Sequence, residues 1–410
     1  MINKISKGIN YINLISFCTL TASILFFFSS VMRISYYVFL ISYVLEFILE
    51  KRWQNMKINN YRIFFLLLLA FYLLGLFSYF FDDTPIYFEY IINRRLPLLA
   101  FSVVGFFGVN KLYSIKYFFN TMIVTAVLTA LYLIVYRIGL MEFILRPDKT
   151  EMLWNNRIAY VNDHMMFNFY LNMALIGTWY IFSTNWKSLK LWLKISYAVS
   201  AIFIMYIVLL SEGRCGVIEC LLIVSAIILF ETWKRSRIAT IGILSLSLIF
   251  FFMITSHHKR MSKEMMVSEP RLFLWQGALT AIKEKPVLGY GLSNAQERFD
   301  VERAKIEPLF FKEWAKQFYL LDCHNQYLQA TLEFGAFGLL LLLSLYFYPI
   351  YSTRNSTRIL AFFVIGLCMY QSIFDIFLTG QKANIFSMLV IMLFLENDRE
   401  LSQKTLNPNE

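Results

Sequence analysis

The chain has 410 residues, 58% of them hydrophobic and only 16% charged, with a formal net charge of +11. Several uncharged apolar runs reach about 18 residues or more, enough to cross ~30 Å of hydrocarbon as a helix, which excludes a soluble globular domain. The positive excess flanks these runs and comes with no basic helix, RNA-binding signature or zinc spacing, so it points to membrane lipids and anionic headgroups as partners, with no nucleic acid.

Taken from the N-terminus, the run Leu14 to Ser30 lacks a small-residue cleavage site and a second run follows at once, so the first helix is expected to stay as an anchor. Twelve spans are expected, at 11–31, 34–50, 63–81, 96–109, 113–136, 165–183, 191–210, 214–231, 238–255, 324–348, 358–378 and 383–396. The chain therefore reads as an all-α polytopic membrane protein: nine spans in residues 1–255, a long loop at 256–323, three spans in 324–396 and a tail at 397–410. With the N-terminus inside, cytoplasmic ends and short loops carry 18 Lys and Arg, the opposite short loops 9 and the long loop 11. Positive charge concentrates on the cytoplasmic side of short loops, so both termini are expected inside and the long loop outside.

The chemistry-bearing residues gather on that outer face. Asp82, Asp83, Glu89, Arg94, Arg95, Arg214, His324 and Asp375 all fall there, together with the long loop. Ser211-Glu212-Gly213-Arg214 makes a short turn between two spans. In the loop, Pro270 and Pro286 bracket a helix that opens with Arg271. Leu272, Trp275, Leu279 and Ile282 recur at helical spacing, so that face is expected to lie on the membrane domain. A planar, permanently charged guanidinium suits phosphate oxygens, whereas the bland reading of each arginine is a snorkelling or ion-paired side chain.

His324 follows the loop directly and opens the next span, and imidazole takes and returns a proton near neutral pH without special tuning. A hydrogen-bonded structural histidine is the competing reading. Gln329 and Glu333 come within the next turns, then Gly335 and Gly338, small residues expected to allow close helix packing. His164, in Asn162-Asp163-His164, enters the sixth span from the same side. The five cysteines, Cys18, Cys215, Cys220, Cys323 and Cys368, form no C-x-x-C pair and read as free thiols. No metal-ligand constellation and no phosphate-binding glycine loop is evident, so neither a metal nor a nucleotide cofactor is expected.

The series Arg271-x-x-x-Trp275, Pro286-x-x-Gly289-x-Gly291, His324-Asn325-x-Tyr327-Leu328 and Glu333-x-Gly335-x-x-Gly338 resembles the signature of the O-antigen ligase and polymerase family of bacterial envelope glycosyltransferases. The Ser-x-x-Arg214-x-Gly216 turn is similar to that family's other arginine motif, and the likeness is close over roughly 205–345. The resemblance implies a GT-C-like fold in the bacterial inner membrane with its active site on the periplasmic face. It implies a metal-independent, inverting transfer of glycan from undecaprenyl diphosphate to the lipid A–core oligosaccharide of lipopolysaccharide. It assigns Arg214 and Arg271 to the donor diphosphate and His324 to the acceptor proton. Glu212, Trp275, Gly289, Gly291, Asn325, His164 and Asp375 are candidate supporting residues. A polymerase of lipid-linked repeat units is the alternative within the family. A transporter or flippase is the alternative outside it, although the expected internal repeats and broken midplane helices are not evident.

Overall fold

The structure, a computed structural model, describes residues 2–25, 29–55, 60–82, 86–145, 164–211, 213–257, 270–306, 311 and 320–406. In chain order the principal helices are α1 (Ile2–Ser23), α2 (Ser29–Leu49), α3 (Asn60–Phe77), α4 (Phe88–Arg94), α5 (Leu96–Phe107), α6 (Ile115–Tyr132), α7 (Leu140–Leu145), α8 (His164–Asn185), α9 (Leu191–Leu210), α10 (Arg214–Trp233), α11 (Arg237–His257), α12 (Pro270–Ile282), α13 (Leu292–Ile306), α14 (Gln326–Ser352), α15 (Asn355–Phe374) and α16 (Gly380–Leu406). Each of the twelve expected spans falls on one of these helices, so the fold is all-α and polytopic. Among the described residues, eight helices are long and apolar enough to cross a membrane. The short fourth span is lengthened by α4, because Phe88–Phe107 runs as one apolar stretch around the polar pair Arg94-Arg95.

Two compact units emerge: residues 1–13, 40–113 and 269–410 form the first, and 14–39 and 114–268 the second. The first is built around α16. Its stretch from Ala383 to Phe394 is buried on nearly every side, with Phe386 and Phe394 against Phe64 and Phe386 also against Tyr346 and Phe377. A helix apolar all round belongs in a core. α5 and α15 flank α16, α14 packs on α3 and α15, and α12 packs on α13 and α14.

The loop helix α12 turns out rotated relative to the expectation from spacing. Leu272 and Leu279 are each 48% exposed, whereas Leu274, Gly277, Ala278 and Ala281 are buried, with Trp275 and Ile282 at the margin. Size explains the choice. A Cβ at Gly277 would lie 3.1 Å from the Arg303 Cα, so only small residues let α13 approach this closely, and Phe299 of α13 fills the space between.

The second unit centres on α8, buried continuously from Met165 to Thr178 and covered by α6, α9 and α10. Tyr170 donates from its hydroxyl to the Thr21 carbonyl at 2.9 Å, and Gly177 leaves room for Phe119. The five cysteines are free thiols, three buried and Cys18 and Cys215 half-buried.

Candidate active site

In the first unit the site is set by how α14 begins. Asn325 is extended and caps the helix, its side-chain oxygen accepting from the Tyr327 and Leu328 amides at 2.9 Å each. Gln326 reaches across, its Oε1 accepting from the amides of Phe377 at 2.9 Å and Leu378 at 2.8 Å, while Tyr327 donates to the Met369 carbonyl at 2.9 Å. The His-Asn-Gln-Tyr run thereby fastens the start of α14 to the segment that carries Asp375.

His324 sits immediately before the cap with a left-handed backbone (φ 46°), which its own N–H helps to hold by donating to Asp322 Oδ1 at 2.9 Å. Its imidazole is about a third exposed, and Nδ1 lies 3.6 Å from Asp322 Oδ1 and 3.9 Å from Asp375 Oδ1. Those separations favour charge over a formed hydrogen bond. Burial pushes the His324 pKa down, but the Asp322 charge and then Asp375 outweigh it, with Arg271 opposing, and the net direction is up. Burial raises and Lys382 lowers the Asp375 carboxyl, which settles well below the usual carboxylate range with help from His324. Lys382 is ion-paired to Asp375.

α12 brings two further predicted residues to the same corner. Arg271 lies over the Phe374 ring at 5.9 Å and Trp275 meets that ring at 6.2 Å, so both border the residue preceding Asp375. The buried Trp275 indole N–H has no hydrogen-bond partner among the described residues. Asp322 also borders a small cavity with room for about one water, lined in part by Arg94, Arg95, Gln329, Glu333 and Thr379.

The two glycine motifs are halves of one clasp. Helix α14 breaks at Gly335 (φ 61°, ψ −152°), and the turn between α12 and α13 docks into the break. Tyr290 N–H donates to Leu332 O at 3.1 Å, Gly291 N–H to Glu333 O at 2.8 Å, and Ala336 N–H to Pro286 O at 2.9 Å. A Cβ at Gly335 would run into the Val287 carbonyl, and one at Gly289 into the Glu333 carbonyl. Gly289 and Gly291 therefore position the loop on α14, and Gly335 serves the break; helix-against-helix packing, expected from sequence, is not its role.

The clasp also fixes Glu333, which pairs with Arg95 Nη2 through both oxygens at 2.7 Å and accepts from Gln329 Nε2 at 2.7 Å. Arg95 is 1% exposed and its guanidinium faces the rings of Phe71 and Phe334. The sequence offers Arg95 as an outer-face charge and Glu333 as a motif residue without pairing them, and it gives no site role to Asp322, Gln326 or Lys382. Intramembrane charge was the available signal for Arg95 and Lys382.

In the second unit, α8 presents His164, Asn168 and Asn172 at four-residue intervals. Asn168 exchanges hydrogen bonds with the Ser211 hydroxyl at 2.9 and 3.1 Å. Asn172 donates to the Gly216 carbonyl at 3.0 Å and to Glu219 Oε2 at 3.1 Å. A Cβ at Gly216 would collide with Asn168, and one at Gly213 would come 3.5 Å from His164. The Ser-x-x-Arg-x-Gly spacing thus holds the start of α10, and with it Arg214, against α8. Glu212 and Asp83 lie outside the described residues.

Compared with known proteins, residues 198–343 match the model of the O-antigen ligase family. A Rickettsia conorii protein with a provisional polysaccharide-ligase name is 35% identical over 96 residues, 21% of this chain and 21% of its own. A Rickettsia typhi protein with the same kind of name is 32% identical over 123 residues, 27% of each. The chain thus aligns with about a quarter or less of the length of these relatives. The matched stretch 198–343 contains Arg214, Arg271, His324 and both halves of the clasp.

Proposed function

We propose that the chain transfers O-antigen glycan from undecaprenyl diphosphate to the lipid A–core oligosaccharide, on the periplasmic face of the bacterial inner membrane, by a single inverting displacement. The observation that carries this reading is His324, its Nδ1 edge against Asp322 and Asp375 and Arg271 nearby, inside the stretch that matches the O-antigen ligase family model. Two carboxylates at Nδ1 favour the tautomer protonated there, which leaves the Nε2 lone pair for the acceptor hydroxyl.

In the reaction the acceptor oxygen attacks the anomeric carbon as its proton passes to His324 Nε2. The bond from that carbon to the diphosphate oxygen breaks, and undecaprenyl diphosphate leaves with the electron pair. Arg271, and by resemblance Arg214, stabilise the charge growing on the diphosphate. The carboxylates that raise the His324 pKa make it a stronger base than free imidazole and stabilise its protonated form after the transfer.

The test measures donor binding and transfer separately on purified protein. His324→Ala should bind undecaprenyl diphosphate-linked glycan with nearly native affinity and transfer it roughly 10²–10⁴ times more slowly, and His324→Gln should be nearly as impaired. Native turnover in the glutamine variant, or lost donor binding in the alanine variant, would remove His324 from the base role. Deleting the protein should leave lipopolysaccharide uncapped while polymer accumulates on the carrier; core bearing a single repeat would make it a polymerase.

A further inference from the structure

The turn Pro286–Gly291 is held at a defined height by two separate spans. At one end the segment just after α3 supplies the caps for α13: Leu292 N–H donates to Ser78 Oγ at 3.1 Å, and the Ser293 and Asn294 amides donate to Asp82 at 3.3 and 3.2 Å. Ser78 lies within the apolar stretch Tyr61–Phe80, so these caps mark the end of that span. At the other end the turn enters the break of α14. From Ala336 to Ser352 that helix continues for 17 residues, about 25 Å at 1.5 Å per residue, close to the ~30 Å hydrocarbon thickness. Both spans therefore place the turn at the edge of the hydrocarbon.

The side chains at that height are apolar and uncovered. Leu288 is 73% exposed and Val287 more than half. Phe80 and Phe81, just past the end of α3, are about three-quarters exposed, and Phe337 and Leu340, just past the break in α14, are also exposed. Lys283 and Lys285 immediately precede the turn and are exposed as well, the arrangement in which ammonium groups reach headgroups while apolar tips stay below them. A turn meant for water would not carry Val-Leu at its tip beside two lipid-facing span ends.

We propose that Val287 and Leu288, with Phe80 and Phe81, form a wedge seated among the acyl chains of the leaflet at this end of α3 and α14. The loop that carries Arg271 is then anchored in lipid as well as by the clasp. This goes beyond the transfer reaction and stands whether or not His324 is a base.

The test is site-directed spin labelling of the full chain in nanodiscs, with the five native cysteines replaced. A nitroxide at Leu288→Cys should be several-fold more accessible to oxygen than to a water-soluble nickel chelate. It should match a label at Phe337→Cys and oppose one at Ala304→Cys on the charged helix α13. Nickel accessibility equal to that at position 304 would overturn the proposal. So would inaccessibility to both reagents. Dipolar broadening relieved by unlabelled protein would then identify a second copy as the occupant, and its absence would identify burial within the protein. If Leu288→Cys fails to assemble, Val287→Cys gives the same reading.

Discussion

Removing one member of the buried pair Arg95–Glu333 should be among the most damaging single changes in the first unit. Arg95 is 1% exposed and Glu333 fully buried, so Arg95→Met strands a carboxylate that, among the described residues, keeps only Gln329 as a side-chain partner. Breaking a buried pair from one side costs about 3–5 kcal/mol, since the remaining charge loses its compensation without regaining water. The converse change, Glu333→Leu, strands a guanidinium whose Nε and Nη1 already lack partners among the described residues. The double variant Arg95→Met with Glu333→Leu strands neither charge, so it should be no less stable than the milder single variant, giving a coupling of roughly 3 kcal/mol or more. The assay is reversible unfolding by SDS titration in mixed micelles for the four proteins of the cycle. Single variants within about 1 kcal/mol of native, or losses that add within ~0.5 kcal/mol, would show that the pair does not carry this energy.

Asp322→Asn keeps an oxygen for the His324 N–H but removes a charge that raises the His324 pKa. A base with a raised pKa is lost early as pH falls, so the rising limb of the pH–rate profile should move to lower pH, together with the imidazole ¹⁵N titration. An unmoved limb would assign the raised pKa to another group. Gly335→Ala meets the Val287 carbonyl and places a side chain in a backbone region open essentially to glycine; it should cost at least about 1–3 kcal/mol, read as faster thermal inactivation, and native kinetics of inactivation would contradict the clasp. Arg271→Ala should abolish transfer with the protein still in the membrane, and Arg271→Lys should retain part of it because an ammonium cannot make a forked contact. Full transfer by the alanine variant would exclude Arg271 from the diphosphate site.

Hydropathy located the helices well, because a run of apolar residues needs no partner to be recognised. It could not rank them. α8 and α16, which form the centres of the two units, are burdened by Asn168 and Asn172 in one case and by the charged end of α16 in the other. At the site, Arg271, His324 and Asp375 were readable as polar residues stationed at the ends of spans, and the first unit brings those three to one corner. Their partners were not readable. Gln326 meets the Phe377 amide 51 residues away and Arg95 meets Glu333 across 238, separations over which one sequence gives no pairing signal. Spacing alone points to the wrong face of α12, because it marks the large apolar residues as the packing side. Contact with α13 required small ones, leaving Leu272 and Leu279 outward. The glycine spacings were visible as a pattern, but their meaning as a backbone clasp depends on a helix break that hydropathy does not register.

The long separation of Arg95 from Glu333 has a consequence for the order in which the protein is made. Arg95 enters the bilayer with α4 and α5 while the chain that supplies its carboxylate is still to be translated, 238 residues later. A lone arginine in a membrane helix costs most at the bilayer centre and less towards the edge, the level at which the break in α14 sets this pair, so an unpaired Arg95 is free to stay among the headgroups. Its final placement is then completed by α14, so the last fifth of the polypeptide finishes the placement of the first quarter. A nascent chain interrupted before Glu333 keeps Arg95 without its carboxylate partner in an apolar segment, so this pair can close only late in synthesis.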